Sequence, residues 1–268
     1  MKLAILTELE YALSGPTAIL LQLEAAILPE QVVHKARIAL PPVAHFARVP
    51  GCDNIGERIW LQAEHHLSLR YEAIVEPCRM VMPIEGLAAV PPHLLPGETV
   101  DYLMPSRFCP SDTFQTFVLD RFGNLNGGDR VMAIRDWVEG HMRYVPGASD
   151  ARTTAADSFR SGQGVCRDYA HLVISLCRAG GIPARFASVY GLGVEPQDFH
   201  AVAEVFLDGA WHLIDATGMA HPAAIAKIGV GPDAAGASFL TSYGPVTLER
   251  QRVDVREAAN PPDSNTKS

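Results

Sequence analysis

Between Gly164 and Tyr190 the hydrophobic repeat of this chain changes period, and that change restricts the fold more than any other feature. From Cys166 to about Ala179 apolar residues recur at helical spacing, with Ala170, Val173, Ile174 and Cys177 on one side. Gly180-Gly181 stops the helix and Pro183 prevents its continuation. From Ala184 the period is two. Ala184 to Tyr190, His200 to Leu207 and Ala210 to Asp215 read as strands, the last two joined by Asp208-Gly209, a tight-hairpin signal. A helix with one apolar face followed by antiparallel strands predicts an α+β fold with helices packed on the sheet.

Upstream, residues 1 to about 85 read as short strands with Pro and Gly punctuation. Leu3 to Tyr11, Val32 to Leu40, Ile59 to Ala63 and Leu67 to Val75 are candidates, the last with Leu67, Leu69, Tyr71, Ala73 and Val75 on one face. Thr17 to Ile27 reads as a strand by alternation and as a helix by its leucine and alanine content. A small antiparallel β-sandwich is expected here. Prolines at 77, 83, 91, 92, 96 and 105 predict an extended connection. Ser111 or Asp112 can cap a short helix ending near Gly123, and Asp129 to His141 predicts a longer one. Val246 to Val255 alternates as a last strand. The expected organisation is a sandwich-like domain with its linker over 1–100, an α+β core over 101–257 and a disordered tail over 258–268.

Composition narrows the function classes. The chain has 268 residues, 48% of them hydrophobic, so a large core can be buried. A net charge of −8 argues against non-specific nucleic-acid or anionic-membrane partners. No apolar run is long enough for a membrane span, and the first residues, with Glu8 and Glu10, lack a signal-peptide pattern, so a cytoplasmic location is expected. Five cysteines at 52, 78, 109, 166 and 177, with no C-x-x-C, predict free thiols rather than a disulfide framework or a zinc knuckle. Glu64-His65-His66 does not make a metal site, because adjacent strand residues point to opposite faces. No metal and no cofactor are expected.

The chemistry centres on Cys166. A thiol opening a helix faces unpaired N–H groups and the positive end of the helix dipole, both of which favour the thiolate. A thiol nucleophile needs a base, and histidine can take and return the proton near neutrality. With a two-residue loop at Asp208-Gly209, Leu207 faces Ala210 and Val202 faces Asp215. His200 and Asp215 then share a face as diagonal neighbours, ~7–8 Å apart at the backbone and within side-chain reach. His212 falls on the other face, and a one-residue slip would reverse the assignment. His171 lies about 140° around the helix from Cys166 and reads as a packing contact. Asp168, in the first turn, reads as an N-terminal acid pointing away from the thiol, and Glu204 is the rival to Asp215 as the group that orients His200. The arrangement follows a papain-like logic: thiolate on a helix end, imidazole and carboxylate on a sheet. The oxyanion would meet the Cys166 N–H and a second donor, for which Gln163 and Tyr169 are candidates; Trp211 is a candidate cleft wall.

Gly164-Val-Cys-Arg-Asp-Tyr-Ala-His-Leu172, Cys177-Arg178, Gly181-Ile-Pro-Ala-Arg185, His200 to Val205 and Trp211 to Thr217 resemble the core of bacterial transglutaminase-like proteins, over roughly residues 110–245. The first ~85 residues resemble, more loosely, the all-β region many bacterial members carry before it; the family's Asp-x-x-Gly-Asn is here Asp53-Asn-Ile-Gly-Glu57. The resemblance implies a Cys–His–Asp triad, which falls on Cys166, His200 and Asp215. It also implies a shared step, thiolate attack on an amide carbon to give a thioester. A thiol hydrolase acting on a peptide, protein or other amide substrate is the first expectation, since water is the default acceptor. A glutamine acyltransferase with the same triad and a catalytically silent binding module are the alternatives. The cleft walls are expected from loops 145–163, 191–199 and 218–245.

Overall fold

The computed structural model describes residues 1–259. Six strands come first: β1 (Leu3–Leu13), β2 (Thr17–Leu21), β3 (Gln31–Ala39), β4 (His45–Pro50), β5 (Glu57–Ala63) and β6 (His66–Pro77). After them come α1 (Gly97–Val100), α2 (Gln115–Phe122), α3 (Gly127–His141), β7 (Arg143–Tyr144), α4 (Ala155–Ser161), β8 (Gln163–Gly164) and α5 (Cys166–Ala179). The chain ends in strands: β9 (Ala184–Gly191), β10 (His200–Leu207), β11 (Ala210–Ile214), β12 (Ile225–Gly231), β13 (Leu240–Ser242) and β14 (Val246–Glu257).

Two four-stranded sheets, ordered β14-β1-β6-β3 and β13-β2-β5-β4, form the sandwich. Alternation drives it. Leu3, Ile5, Leu9, Tyr11 and Leu13 of β1 point inward with Leu67, Leu69, Tyr71, Ala73 and Val75 of β6 against Ile19, Leu21, Ile59 and Leu61 of the facing sheet. At Thr17–Leu21 pairing with β5 prevails over helix propensity, because strand preference follows packing on the pleated surface. The edge strand β4 was not anticipated; only alternate residues of it are even half-buried, so its hydrophobic signal is weak.

A third sheet, β11-β10-β9-β12, carries α5 on one face. Ala201, Ala203, Val205 and Leu207 of β10 pack with Leu172, Val173, Ile174 and Leu176 of α5, and Val131, Ile134 and Val138 of α3 extend the same core. Because α5 lies between sheet and helices, nearly all of it is buried.

The strand order ties the end of the chain to its beginning. β13 and β14 lie beyond the core in sequence, yet β14 pairs with β1 along its whole length and β13 pairs with β2. The last strands therefore complete the sandwich, and the core is a segment inserted between β6 and β13. The segments read as loops 145–163 and 218–245 contain α4, β8, β12 and β13. Short strands and one seven-residue helix carry too few periods to be read from sequence. The proline-rich connection is extended only in part, since short helical turns occupy 92–94 and 97–103. The tail expected over 258–268 lies, from residue 260 on, outside the described residues; Ala258 still donates its N–H to Lys2 O at 2.8 Å.

Sandwich and core are fastened through Asp53 and Gly56. Asp53 Oδ2 accepts from Tyr102 Oη at 2.6 Å and from Arg185 Nη1 at 2.8 Å. Gly56 has φ +72°, and a Cβ there would stand 2.0 Å from Ile228 O on β12, so glycine is required by both conformation and close approach. Among the described residues no helix is long and apolar enough to cross a membrane.

Candidate active site

Three elements converge on one point. α5 begins at Cys166, β10 begins at His200, and Asp215 follows the last residue of β11. The hairpin register pairs Leu207 with Ala210 and Ala203 with Ile214, and Asp208 and Gly209 both have positive φ, at 48° and 78°, as the tight two-residue turn needs. Continuing that count sets Asp215 against Val202, diagonal to His200.

The side chains close the diagonal. His200 Nε2 lies 2.9 Å from Asp215 Oδ2. The carboxylate also accepts from Thr217 N at 2.8 Å, Thr217 Oγ1 at 2.7 Å and Ala220 N at 3.0 Å. Burial alone would raise the pKa of Asp215, but the imidazole and these donors more than offset it and hold it below the ordinary carboxylate value. An ionised, immobile Asp215 fixes the ring with its Nε2–H toward the acid. The other nitrogen, Nδ1, is buried with no protein hydrogen-bond partner. Burial, the largest influence on His200, pulls its pKa down. The hydrogen bond to Asp215 and the Cys166 side chain together outweigh that and push it up to about 9. Cys166 is half-buried, with its thiol 4.0 Å from Phe199 O.

The lead-in to Cys166 is built around Asp168, which turns away from the thiol. Its Oδ2 accepts from Val165 N at 2.8 Å and Ser149 Oγ at 2.5 Å, and its Oδ1 faces Arg167. This ties the helix start to the preceding loop and satisfies an N-terminal N–H. Gly164 makes room for it: a Cβ there would stand 2.6 Å from Asp168 Cβ.

Glu204 does not compete for His200. It is fully buried, with Arg185 Nε at 2.8 Å and Lys227 Nζ at 2.5 Å. Burial pushes its pKa up, but these two cations prevail and hold it at about 2. His171 is a packing residue: it stacks on Phe108 with centroids 5.3 Å apart, and its Nε2 accepts from Ala234 N at 3.1 Å.

Three sequence candidates fall away from the cleft. Tyr169 is buried in the helical core. Trp211 packs edge-on against Tyr102 and beneath Arg185, whose guanidinium carbon is 4.0 Å from its ring centre, and lines a different groove with Glu30 and Arg79. Gln163 pairs through its backbone with Arg143 and is not among the cleft-lining residues. A residue that sequence reasoning missed is Tyr144. The parallel pairing of β7 with β8 sets it beside Gly164, close enough to Cys166 for the two side chains to influence each other's charge; burial, the main cause, pushes its pKa up to about 12. A two-residue strand 22 positions upstream gives no sequence signal for that contact.

The cleft holding Cys166 and His200 has a volume of about 760 Å³. Phe108 and Phe186 of the core line it together with Phe239, Tyr243 and Gln251 from the returning segment, so the sandwich side contributes to its wall. Among the described residues no group of three or more His, Cys, Asp or Glu side chains could hold a metal ion.

Residues 119–216 match the Transglutaminase-like superfamily, core domain. A crystal structure from Cytophaga hutchinsonii, named as a "Putative Cysteine Protease", superposes with a TM-score of 0.89 at 29% identity, covering 97% of this chain and 92% of that one. An uncharacterized protein of Mycobacterium leprae is 27% identical over 143 residues, 50% of this chain and 51% of its own. Human kyphoscoliosis peptidase is 33% identical over 101 residues, 33% of this chain and 15% of its own. The chain thus spans about half of one of these curated relatives and a small part of the other.

Proposed function

On the transglutaminase-like core that this chain carries, we propose that Cys166 is an acylated nucleophile in the cleavage of an amide or peptide bond. The observation that supports this best is the state of His200 in the cleft it shares with Cys166. Nε2 is held by Asp215, while Nδ1 is buried with no hydrogen-bond partner, which leaves it for the thiol.

The proposed steps are these. Cys166 Sγ attacks the amide carbon while its proton resides on His200. The carbonyl oxygen, now negative, is met by the Cys166 N–H at the helix start and by the Tyr144 hydroxyl as second donor. His200 gives its proton to the departing amine, leaving a thioester on Cys166. Water, deprotonated by His200, attacks the thioester, and the acid product leaves with the thiol restored. Asp215 acts through His200: it keeps the ring oriented and stabilises its charged form. The same thioester can instead be opened by a primary amine, which is the acyltransferase reading.

The test uses a p-nitrophenyl acyl ester and intact-protein mass spectrometry. The expected result is an acyl adduct that maps to Cys166 and is absent from Cys166→Ala. Adding a primary amine separates the fates: an amide product with faster adduct decay supports transfer, and unchanged decay to the acid supports hydrolysis. No adduct on Cys166, with the fold intact by circular dichroism, would leave the binding-module reading.

A further inference from the structure

Asp198 stands in the same cleft as Cys166, two residues before His200. Its Oδ1 is tethered: it accepts from Phe199 N at 2.6 Å and from the side-chain amide of Gln251, which comes from β14 of the sandwich. The neighbouring Gln197 is strapped to the same strand, its amide donating to Val255 O at 3.1 Å and accepting from Val255 N at 2.6 Å. The carboxylate is thus held in one orientation by both halves of the molecule.

No structural role uses up its charge. Among the described residues no lysine, arginine or histidine forms an ion pair with it. Of the two arginines lining the cleft, Arg167 is committed to Asp168, Ser149 and the carbonyl of Asp150, and Arg107 lies over the Phe108 ring, 4.8 Å from its centre. The wall beside Asp198 is aromatic: Phe199 stacks on Phe239 with centroids 4.3 Å apart, and Tyr243 lines the same cleft. Partial withdrawal from water raises the carboxyl pKa of Asp198, outweighing the lowering by its two hydrogen bonds and by His200. An oriented, unpaired carboxylate beside aromatic faces suits an ammonium ion, which gains a charge-assisted hydrogen bond and contact with π-faces.

We propose that Asp198 is the specificity residue that receives an ammonium group on the acyl side of the substrate, next to the carbonyl that Cys166 attacks. The proposal rests on the thioester reading above. Asp198 lines the same cleft as Cys166, whose thiol lies 4.0 Å from the carbonyl oxygen of the next residue, Phe199. The substrate class is a peptide or amide with a cationic amine beside the scissile bond, either a free N-terminal amine or a lysine side chain.

Three chloromethyl ketones separate these sources. Each alkylates the thiol, forming a thioether and releasing chloride. Norleucine chloromethyl ketone with a free amine carries only the α-ammonium, N-acetyl-lysine chloromethyl ketone only the side-chain ammonium, and N-acetyl-norleucine chloromethyl ketone neither. Rates are read as mass added at Cys166, each divided by the iodoacetamide rate of the same variant. At least one cationic reagent is expected to react about 10-fold or more faster than the neutral one, and Asp198→Asn, which keeps the acceptor for Phe199 N–H, should bring that ratio close to one. Equal rates for all three, or a preference that survives in Asp198→Asn, overturn the assignment of Asp198 while leaving the nucleophile intact. A Cys166 inert to iodoacetamide as well overturns both.

Discussion

At the scale of single residues the site depends on one proton. His200 keeps it to about pH 9, against an ordinary value of 6.5, because Asp215 and Cys166 outweigh the effect of burial. A raised value stabilises the fold fully below pH 6.5 and loses that contribution as pH rises through 9. For the proposed reaction, the same sign means that the acid form of His200, which would protonate the leaving amine, is lost on the alkaline side. The basic limb of a kcat/KM profile is therefore expected near pH 9. In Asp215→Asn the amide cannot stabilise the imidazolium, so that limb should move down by more than one unit, with kcat/KM falling by roughly 10²–10⁴-fold. A limb that stays near 9 would show that Asp215 does not act through His200.

At the scale of elements, the start of α5 is held by a fold-back. Asp168 reaches over Gly164 to Val165 N and Ser149, and the glycine is there because a Cβ would collide with it at 2.6 Å. Gly164→Ala must push Asp168 aside or tilt the first turn. A loss of about 1–3 kcal/mol is expected from urea unfolding, in line with overpacking elsewhere. The rate of Cys166 alkylation should fall with it, since the thiol is carried on the displaced turn. Unchanged alkylation would mean that this contact is not what positions the nucleophile.

At the scale of the whole molecule, Glu204 joins the sheet to its surroundings. It pairs with Arg185 on β9 and Lys227 on β12; Arg185 also holds Asp53 of the sandwich, and Lys227 also holds Glu30. Its pKa is lowered from 4.5 to about 2, so its stabilising effect is present above pH 4.5 and is lost as pH falls toward 2. Glu204→Gln leaves two buried cations short of a partner and should cost about 3 kcal/mol at neutral pH, reduced to the extent that Asp53 and Glu30 compensate. The variant's stability should also vary less between pH 5 and 3 than that of the parent chain, read as urea midpoints across that range. An equal acid dependence in both would place the acid sensitivity elsewhere.

What the sequence determined by itself is local. The helix from Cys166, its stop at Gly180-Gly181 and the Asp208-Gly209 hairpin are set by short-range periodicity and turn chemistry, and the hairpin register carries His200 and Asp215 to the same face. Those contacts span few residues, so their geometry follows from strand and turn rules alone. The position of Tyr144, the removal of Trp211 and Tyr169 from the cleft, and the Asp198 tether to Gln251 were decided only in three dimensions. So was the return of β14 to β1, which sets 246–257 beside 3–13. Pairings across that much chain depend on which apolar faces meet when the sheets pack. Alternation marks a strand as able to pair and leaves its partner open.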